Sequence, residues 1–372
     1  MFAAESESSN LNRVLMTVDA VGGVWNYAME LIKGLSDRGI EIALATMGPL
    51  PDAEKIKTLG RIKNVELFES SFKLEWMEQP WEDVEEASEW LLELEVLLHP
   101  GIIHLNGFVH GALPWHSPVV VVGHSCVSSW FEKVKREKIP SDWHYYQERV
   151  SEGLRGADAV VAPSRAMLNM IKAHYGVSDL CRVIYNGRSF SDKVFEKKNM
   201  VLSAGRVWDE GKNMEALMSI ASEVSWPVYI AGDHANKPIK YQNVNLLGQI
   251  PYQSLCTLMS DAAVYALPAR YEPFGLSILE AAGNECALVL GDIESLREIW
   301  GDVAIYVNPE NTEELKAAIN RLIENDLLRN QYGKRARQRA LKFSSDVMVN
   351  NYVDLYHSLI CKKFPLSEGN SI

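Results

Sequence analysis

The chain has 372 residues, 47% hydrophobic and 23% charged, enough for two domains with full cores. Its formal net charge of −12 argues against a broad nucleic-acid surface, and no apolar run approaches the roughly 20 residues that span a bilayer. The five cysteines are scattered and odd in number with no C-x-x-C, which argues for reduced thiols rather than a disulfide frame or a zinc site.

The opening MFAAESESSN has neither a basic nor an apolar stretch, so it does not read as a signal peptide, and a cytoplasmic location is expected. Arg13–Val18 reads as a strand, Gly22-Gly23 as a turn and Val24–Arg38 as an amphipathic helix closed by Gly39. Ile40–Thr46 is the next strand. The spacing predicts a helix over Pro80–His99, acidic in its first half, whose charges read as a solvated face. Between Leu74 and Glu132 there is no Lys or Arg, so the basic patch that docks proteins on anionic lipid is missing there. One basic knot, Lys133–Lys138, follows, flanked by Trp115, Trp130, Trp143, Tyr145 and Tyr146, whose ring faces suit sugar stacking or a core.

Ile102–Leu105, Val119–Val122 and Ala159–Ala162 continue the strands of the first half. Asn186–Asn199 is polar and reads as a linker. Met200–Ala204, Val228–Ala231, Asn245–Leu247, Val264–Leu267, Ala287–Leu290 and Ala304–Val307 are the strands of the second half, with a helix expected over Met214–Val224. Each half begins afresh with strand, turn and helix, which predicts an α/β protein of two Rossmann-like domains. The dinucleotide fingerprint G-x-G-x-x-G and the P-loop pattern are both absent.

Four places carry chemistry. Gly22-Gly23 opens the first helix, where bare backbone can approach a phosphate; an ordinary tight turn reads the same way. His124 stands past the apolar run Val119–Val122, at the strand end where such sheets hold ligands, as a binder of hydroxyls or a structural hydrogen-bonder. His104 and His110 follow a strand in the same way and read either as lining the acceptor side or as stabilising a helix or turn. Arg206 and Lys212 flank a turn after a strand, where fixed cations stabilise a departing diphosphate. Finally, Val264–Pro268 is a buried strand, and a helix starts near Gly275. Glu272 and Glu280 lie eight positions apart across that turn (280 − 272).

In this order the motifs resemble retaining family 4 glycosyltransferases of the GT-B superfamily, glycosyl transferases group 1. The resemblance covers nearly the whole chain and is loosest between about Pro51 and Pro100. It implies two Rossmann-like domains with parallel sheets facing across a cleft. The first, 1–187, is the acceptor-side domain; the second, 188–346, is the nucleotide-sugar domain. A helix over 347–372 crosses back to the first. By the same resemblance the catalytic set is His124, Arg206, Lys212 and Glu272. Gly22, Gly23, Ile250, Phe274, Gly275, Leu276, Ser277 and Glu280 would bind the donor, with Ile250 near the nucleobase and Glu280 on the ribose.

The implied activity is retaining transfer of a hexose-type sugar from a nucleotide-diphosphate sugar (UDP, GDP or ADP) to a saccharide or small-molecule acceptor. No D-x-D occurs, so no metal or other cofactor is expected, with Arg206 and Lys212 supplying the positive charge. No nucleic-acid partner is expected, and peripheral membrane contact is not favoured. The alternatives are a sugar phosphorylase or nucleotide-sugar epimerase on the same fold, or a non-catalytic sugar-nucleotide-binding partner. The chain departs from the family pattern at Gly283–Ala287, where a Gly-x-Pro run is lost, and at Arg270 and Glu294. These changes bear on sugar specificity more than on activity.

Overall fold

Runs such as Val119–Val122, buried on both faces, make the sheets parallel and cover them with helices on either side. The computed structural model describes residues 11–20, 22–177, 180–191, 195–234 and 241–364; the opening decapeptide lies outside them. The chain divides into two units. The first comprises Met1–Ser129, Ile139–Gly187 and Ser345–Ile372; the second comprises Trp130–Lys138 and Arg188–Ser344.

In chain order the first unit carries β1 (Arg13–Asp19), α1 (Gly23–Ser36), β2 (Glu41–Met47), α2 (Ala53–Leu59), β3 (Val65–Glu69), α3 (Trp81–Leu98) and β4 (Ile102–Leu105). It continues with β5 (Val119–Val122), a single turn α4 (Val127–Trp130), α5 (His144–Gly156), β6 (Ala159–Ala162), α6 (Arg165–Tyr175) and β7 (Cys181–Val183). Its seven parallel strands run β3-β2-β1-β4-β5-β6-β7, with Val14 beside Ile42 on one side and Ile102 on the other. Strand order reverses between β1 and β4, so the carboxyl ends of those strands mark the crevice where such sheets take ligands.

The second unit holds β8 (Lys198–Ala204), α7 (Met214–Ser219), β9 (Val228–Ala231), β10 (Val244–Gly248), α8 (Tyr252–Asp261), β11 (Ala262–Leu267) and α9 (Leu276–Gly283). Next come β12 (Ala287–Gly291), α10 (Glu294–Trp300), β13 (Ala304–Val307), α11 (Thr312–Glu324) and α12 (Asp326–Ala340). Its sheet runs β10-β9-β8-β11-β12-β13, all parallel, and reverses between β8 and β11. The last helix, α13 (Ser345–Lys363), belongs to the first unit. It packs on α1 where Gly34 has no side chain: a Cβ there would lie 2.4 Å from Val349 Cγ2.

Two boundaries differ from the sequence expectation. Helix α13 begins at Ser345, ahead of 347, and Trp130–Lys138 groups with the second unit although it lies in the first half of the chain. Within the second unit Lys135 Nζ lies 2.7 Å from Glu210 and Arg136 lies 3.3 Å from Glu310. Lys133 lies 2.7 Å from Glu132. The basic knot is therefore largely charge-paired. Among the described residues no helix is long and apolar enough to cross a membrane.

His104 and His110 do not line a binding surface. His104 is fully buried in β4; its Nδ1 is 2.6 Å from the Tyr356 hydroxyl of α13 and its Nε2 is 3.4 Å from that of Tyr27. His110 is buried against the carbonyl of Val84. Burial pushes His104 down to about 3 and His110 down to about 4. Glu95, expected on the solvated face of the Pro80–His99 helix, is also inside, as is Glu75 ahead of that helix. Glu95 accepts from the backbone N–H groups of His116 and Ser117, and Glu75 accepts from that of Phe108 at 2.9 Å. Burial pushes the Glu75 carboxyl up.

These histidines fold as neutral rings, whereas the unfolded chain takes up protons on them near the usual 6.5. Stability therefore falls on acidification from about 6.5 toward 3–4, by up to about 1.4 kcal/mol per pH unit for each histidine. Glu75, held protonated to higher pH by the fold, acts in the opposite direction. Urea unfolding at pH 7, 6 and 5 is expected to show this loss, with a shallower slope in His104→Gln. A flat profile would contradict neutral burial.

Candidate active site

In the second unit the two loops at the reversal of strand order converge. The loop after β8 runs Gly205 to Asn213, and the loop after β11 runs Pro268 to Gly275. Backbone N–H groups of Arg270 and Tyr271 both donate to the carbonyl of Gly211, at 2.9 and 3.1 Å. Asn213, at φ +55°, donates its amide to the carbonyls of Pro268 (2.9 Å) and Pro309 (2.8 Å). These bonds fix one loop against the other.

The clip brings Lys212 to Glu272, with Nζ 2.6 Å from Oε2 in a largely buried pair. An ammonium has three donors and Glu272 takes one, so two directions stay open. Ser295 Oγ donates to the Glu272 carbonyl at 2.6 Å and anchors its backbone. Arg206 is half exposed and held from two sides. Its Nη2 donates to Asp209 Oδ2 at 2.9 Å, and its guanidinium lies 5.1 Å from the Trp208 ring centre. Asp209 is buried and also accepts from Gly211 N–H (2.9 Å) and Trp130 Nε1 (3.3 Å). It organises the loop that carries both cations, and the sequence reading passed over it.

The turn Phe274–Ser277 opens α9. Gly275 sits at φ +86°, a conformation that strains any L side chain, and its Cβ would also meet Ile278 at 2.6 Å. No side chain caps α9 and its first turn has no acid, so its leading N–H groups point out of the helix uncompensated. The Phe274 ring itself is in the core against Phe343, and Ser277 Oγ turns inward to the Tyr265 hydroxyl at 2.8 Å. At these two positions only the backbone is offered to a ligand. Ile250 is half-buried after β10.

Glu280 is buried one turn further along α9. Arg188 Nη2 lies 2.7 Å from its Oε1, and the Tyr252 hydroxyl donates to the same oxygen at 3.1 Å. The Arg188 guanidinium also lies over the Tyr252 ring at 5.8 Å. Both of these contacts to the Glu280 carboxylate fall on Oε1. Sequence reading left Arg188 in a linker; the one signal was an arginine directly after Asn186-Gly187 at the end of the first domain. Arg270 pairs with Glu310 at 2.6 Å, and Glu294 opens α10 at the surface.

In the first unit, Gly22 and Gly23 are exposed at the start of α1, Gly22 at φ +81°, with open space where a Cβ would stand. His124 follows β5. Its Nε2 is 2.8 Å from Asn106 Oδ1, and its ring meets that of Tyr27 from α1 edge-on at 4.6 Å. Part of its surface stays open, yet burial pushes it down to about 3, so it is neutral at working pH. The sequence candidates thus divide between the units: Gly22, Gly23 and His124 on the first, and Arg206, Lys212, Glu272, Glu280 and the α9 turn on the second. Of the aromatics, Trp115 and Tyr146 are core, whereas Tyr145 is exposed against Trp81.

A family model described as Glycosyltransferase Family 4 matches residues 21–190, and one described as Glycosyl transferases group 1 matches residues 188–339. O-antigen chain mannosyltransferase B of Escherichia coli is 28% identical over 116 residues, 31% of this chain and 30% of its own length. The chain spans less than half the length of the first curated relatives it matches. Among solved structures, sucrose-phosphate synthase from Thermosynechococcus elongatus superposes with a TM-score of 0.78 at 16% identity, covering 94% of this chain and all of that one. Anabaena HepE in complex with UDP and glucose superposes with a TM-score of 0.73 at 18% identity, covering 93% of this chain and all of that one.

Proposed function

The chain belongs to the group 1 (family 4) glycosyltransferases of GT-B fold. From that premise we propose a retaining, metal-independent transferase that moves a hexose-type sugar from a nucleotide-diphosphate sugar to a hydroxyl of a saccharide or small-molecule acceptor. The observation that carries the reading is the Lys212–Glu272 pair at the strand-order reversal of the second unit.

A diphosphate gains negative charge as the sugar–oxygen bond breaks. Cations and N–H dipoles already fixed at that point stabilise the transition state more than the bound donor. Lys212 has two N–H directions left and Arg206 is anchored with donors to spare, and the uncapped start of α9 adds backbone N–H groups. Glu272, held by Lys212, takes a sugar hydroxyl. Glu280 keeps Oε2 for the ribose hydroxyls while Arg188 and Tyr252 hold Oε1. No protein group is assigned as general base. A donor phosphate oxygen accepts the acceptor's proton on the same face of the sugar, which accounts for retention. That HepE is described with UDP and glucose favours a donor of this class.

The test is a donor panel of UDP-, GDP- and ADP-sugars with EDTA present, followed by nucleotide release and anomer-resolved NMR. Release from one donor, with the anomeric configuration kept, is the expected result. Inversion would sink retention, and activity lost to EDTA and restored by a divalent ion would sink metal independence. Turnover only with inorganic phosphate would mean a phosphorylase. Donor binding without turnover in the presence of saccharide acceptors would favour a non-catalytic partner.

A further inference from the structure

At the carboxyl edge of the first sheet, three residues from three strands form a hydrogen-bonded relay whose direction is fixed by chemistry. Asn106, just past β4, lies 2.7 Å by one amide atom from the carbonyl oxygen of Thr17 in β1. A carbonyl can only accept, so that atom is the nitrogen, Nδ2. Asn106 N–H also donates to Thr17 Oγ1 at 3.0 Å, which holds the residue at both ends. The other amide atom is therefore Oδ1, which can only accept, and it stands 2.8 Å from His124 Nε2. His124 must then carry its proton on Nε2. In a neutral ring, Nδ1 is left as a bare lone pair. Nδ1 has no hydrogen-bond partner among the described residues, and it is not among the fully buried polar atoms.

We propose that Asn106 is a positioning residue. It locks His124 as the Nε2–H tautomer so that Nδ1 is presented, past the end of β5, as a permanent acceptor for a sugar hydroxyl. The inference rests on the transferase reading for the identity of that hydroxyl, and on geometry alone for the tautomer. Acceptance at Nδ1 requires that the ring never become an imidazolium, whose Nδ1–H could only donate. The surroundings meet that requirement. Among the described residues, Tyr27 from α1 and His104 from β4 are the ionisable groups seen to interact with the ring, both neutral at working pH, and burial keeps the ring itself uncharged. The neighbouring amide adds an acceptor without adding charge. A carboxylate in that place would give the same hydrogen bond and pull the ring toward its charged form.

The test uses the full chain labelled with ¹⁵N-histidine, read by long-range ¹H–¹⁵N correlation, beside kinetics with whichever donor the panel identifies. In the wild type, His124 is expected as the Nε2–H form at pH 8 and still neutral at pH 5. In Asn106→Asp its titration is expected to move up into the range between those values, and transfer should fall with acid through the new midpoint. Asn106→Ala, which loses the lock without adding charge, is expected to show mixed tautomers and a kcat/KM lowered about 10-fold or more. An Nδ1–H tautomer, or a ring charged near neutrality in the wild type, would overturn the proposal. So would unchanged kinetics and pH profile in both variants. If no donor is turned over, the wild-type spectrum still decides the tautomer, so failure of the transferase reading shows separately.

Discussion

Lys212→Ala is expected to lower the rate of sugar transfer by about 10²–10³, the usual loss when one fixed charge-stabilising donor is removed. The loss should fall on kcat more than on the donor KM. On the mechanism proposed above, a bound diphosphate would share its charge with Arg206 and the α9 N–H groups, and Lys212 would meet the extra charge of bond breaking. Lys212→Arg should not rescue it. The ammonium is seated 2.6 Å from Glu272 in a space that is largely closed, and a planar guanidinium does not fit that seat. The substitution also leaves Glu272 buried without its cation, so some of the loss would be structural. Lys212→Ala/Glu272→Gln removes that stranded charge, and Glu272→Gln alone is its reference, because Glu272 also serves the sugar. If the double variant regains thermal stability and stays about 10²-fold slower than Glu272→Gln, the lysine acts on the transition state. If the two transfer sugar within about fivefold of each other, the role of Lys212 was only to pair Glu272.

The fold was legible where burial is written in the chain itself. Val119–Val122 and Val264–Leu267 are apolar on both faces, which only a covered parallel strand explains, and each half restarts with a strand, a turn and a helix. What escaped were elements whose stability comes from neighbours. The edge strand β3 has no fully buried residue and no clean alternation, and β7 has three residues, so neither carries a period that stands out. The helix expected over Met214–Val224 stops at Ser219 and finishes as a short 3-10 turn. In the candidate site the residue types and order were readable; the pairings were not. Lys212 and Glu272 are 60 positions apart, and nothing local says that they meet. Glu75 and Glu95 look like members of a solvated acidic stretch because their partners are backbone N–H groups of distant loops, which leave no trace in side-chain identity.

Arg188 is the strongest case of that kind, and its removal is expected to cost the most stability of any single change near the site. Its side chain is 6% exposed and that of Glu280 10%, at a separation of 2.7 Å. Arg188 and Glu280 form a buried ion pair, with the Tyr252 ring covering the guanidinium. Taking a carboxylate out of water is tolerable only while its cation is beside it. Arg188→Leu leaves the charge buried alone, at a cost of about 3–5 kcal/mol. The second variant that tests this is Arg188→Leu/Glu280→Leu, which removes both charges and is expected to recover much of the loss in a double-mutant cycle. Neither leucine variant should behave as the wild type toward nucleotide, because Glu280 holds its remaining oxygen in place only while Arg188 and Tyr252 fix the other. Urea unfolding of the full chain reads the stability, and nucleotide binding by calorimetry reads the site. A loss below about 1 kcal/mol in Arg188→Leu would mean that water reaches Glu280 in solution. A double variant no more stable than the single one would mean that Arg188 supports the fold by packing rather than by charge.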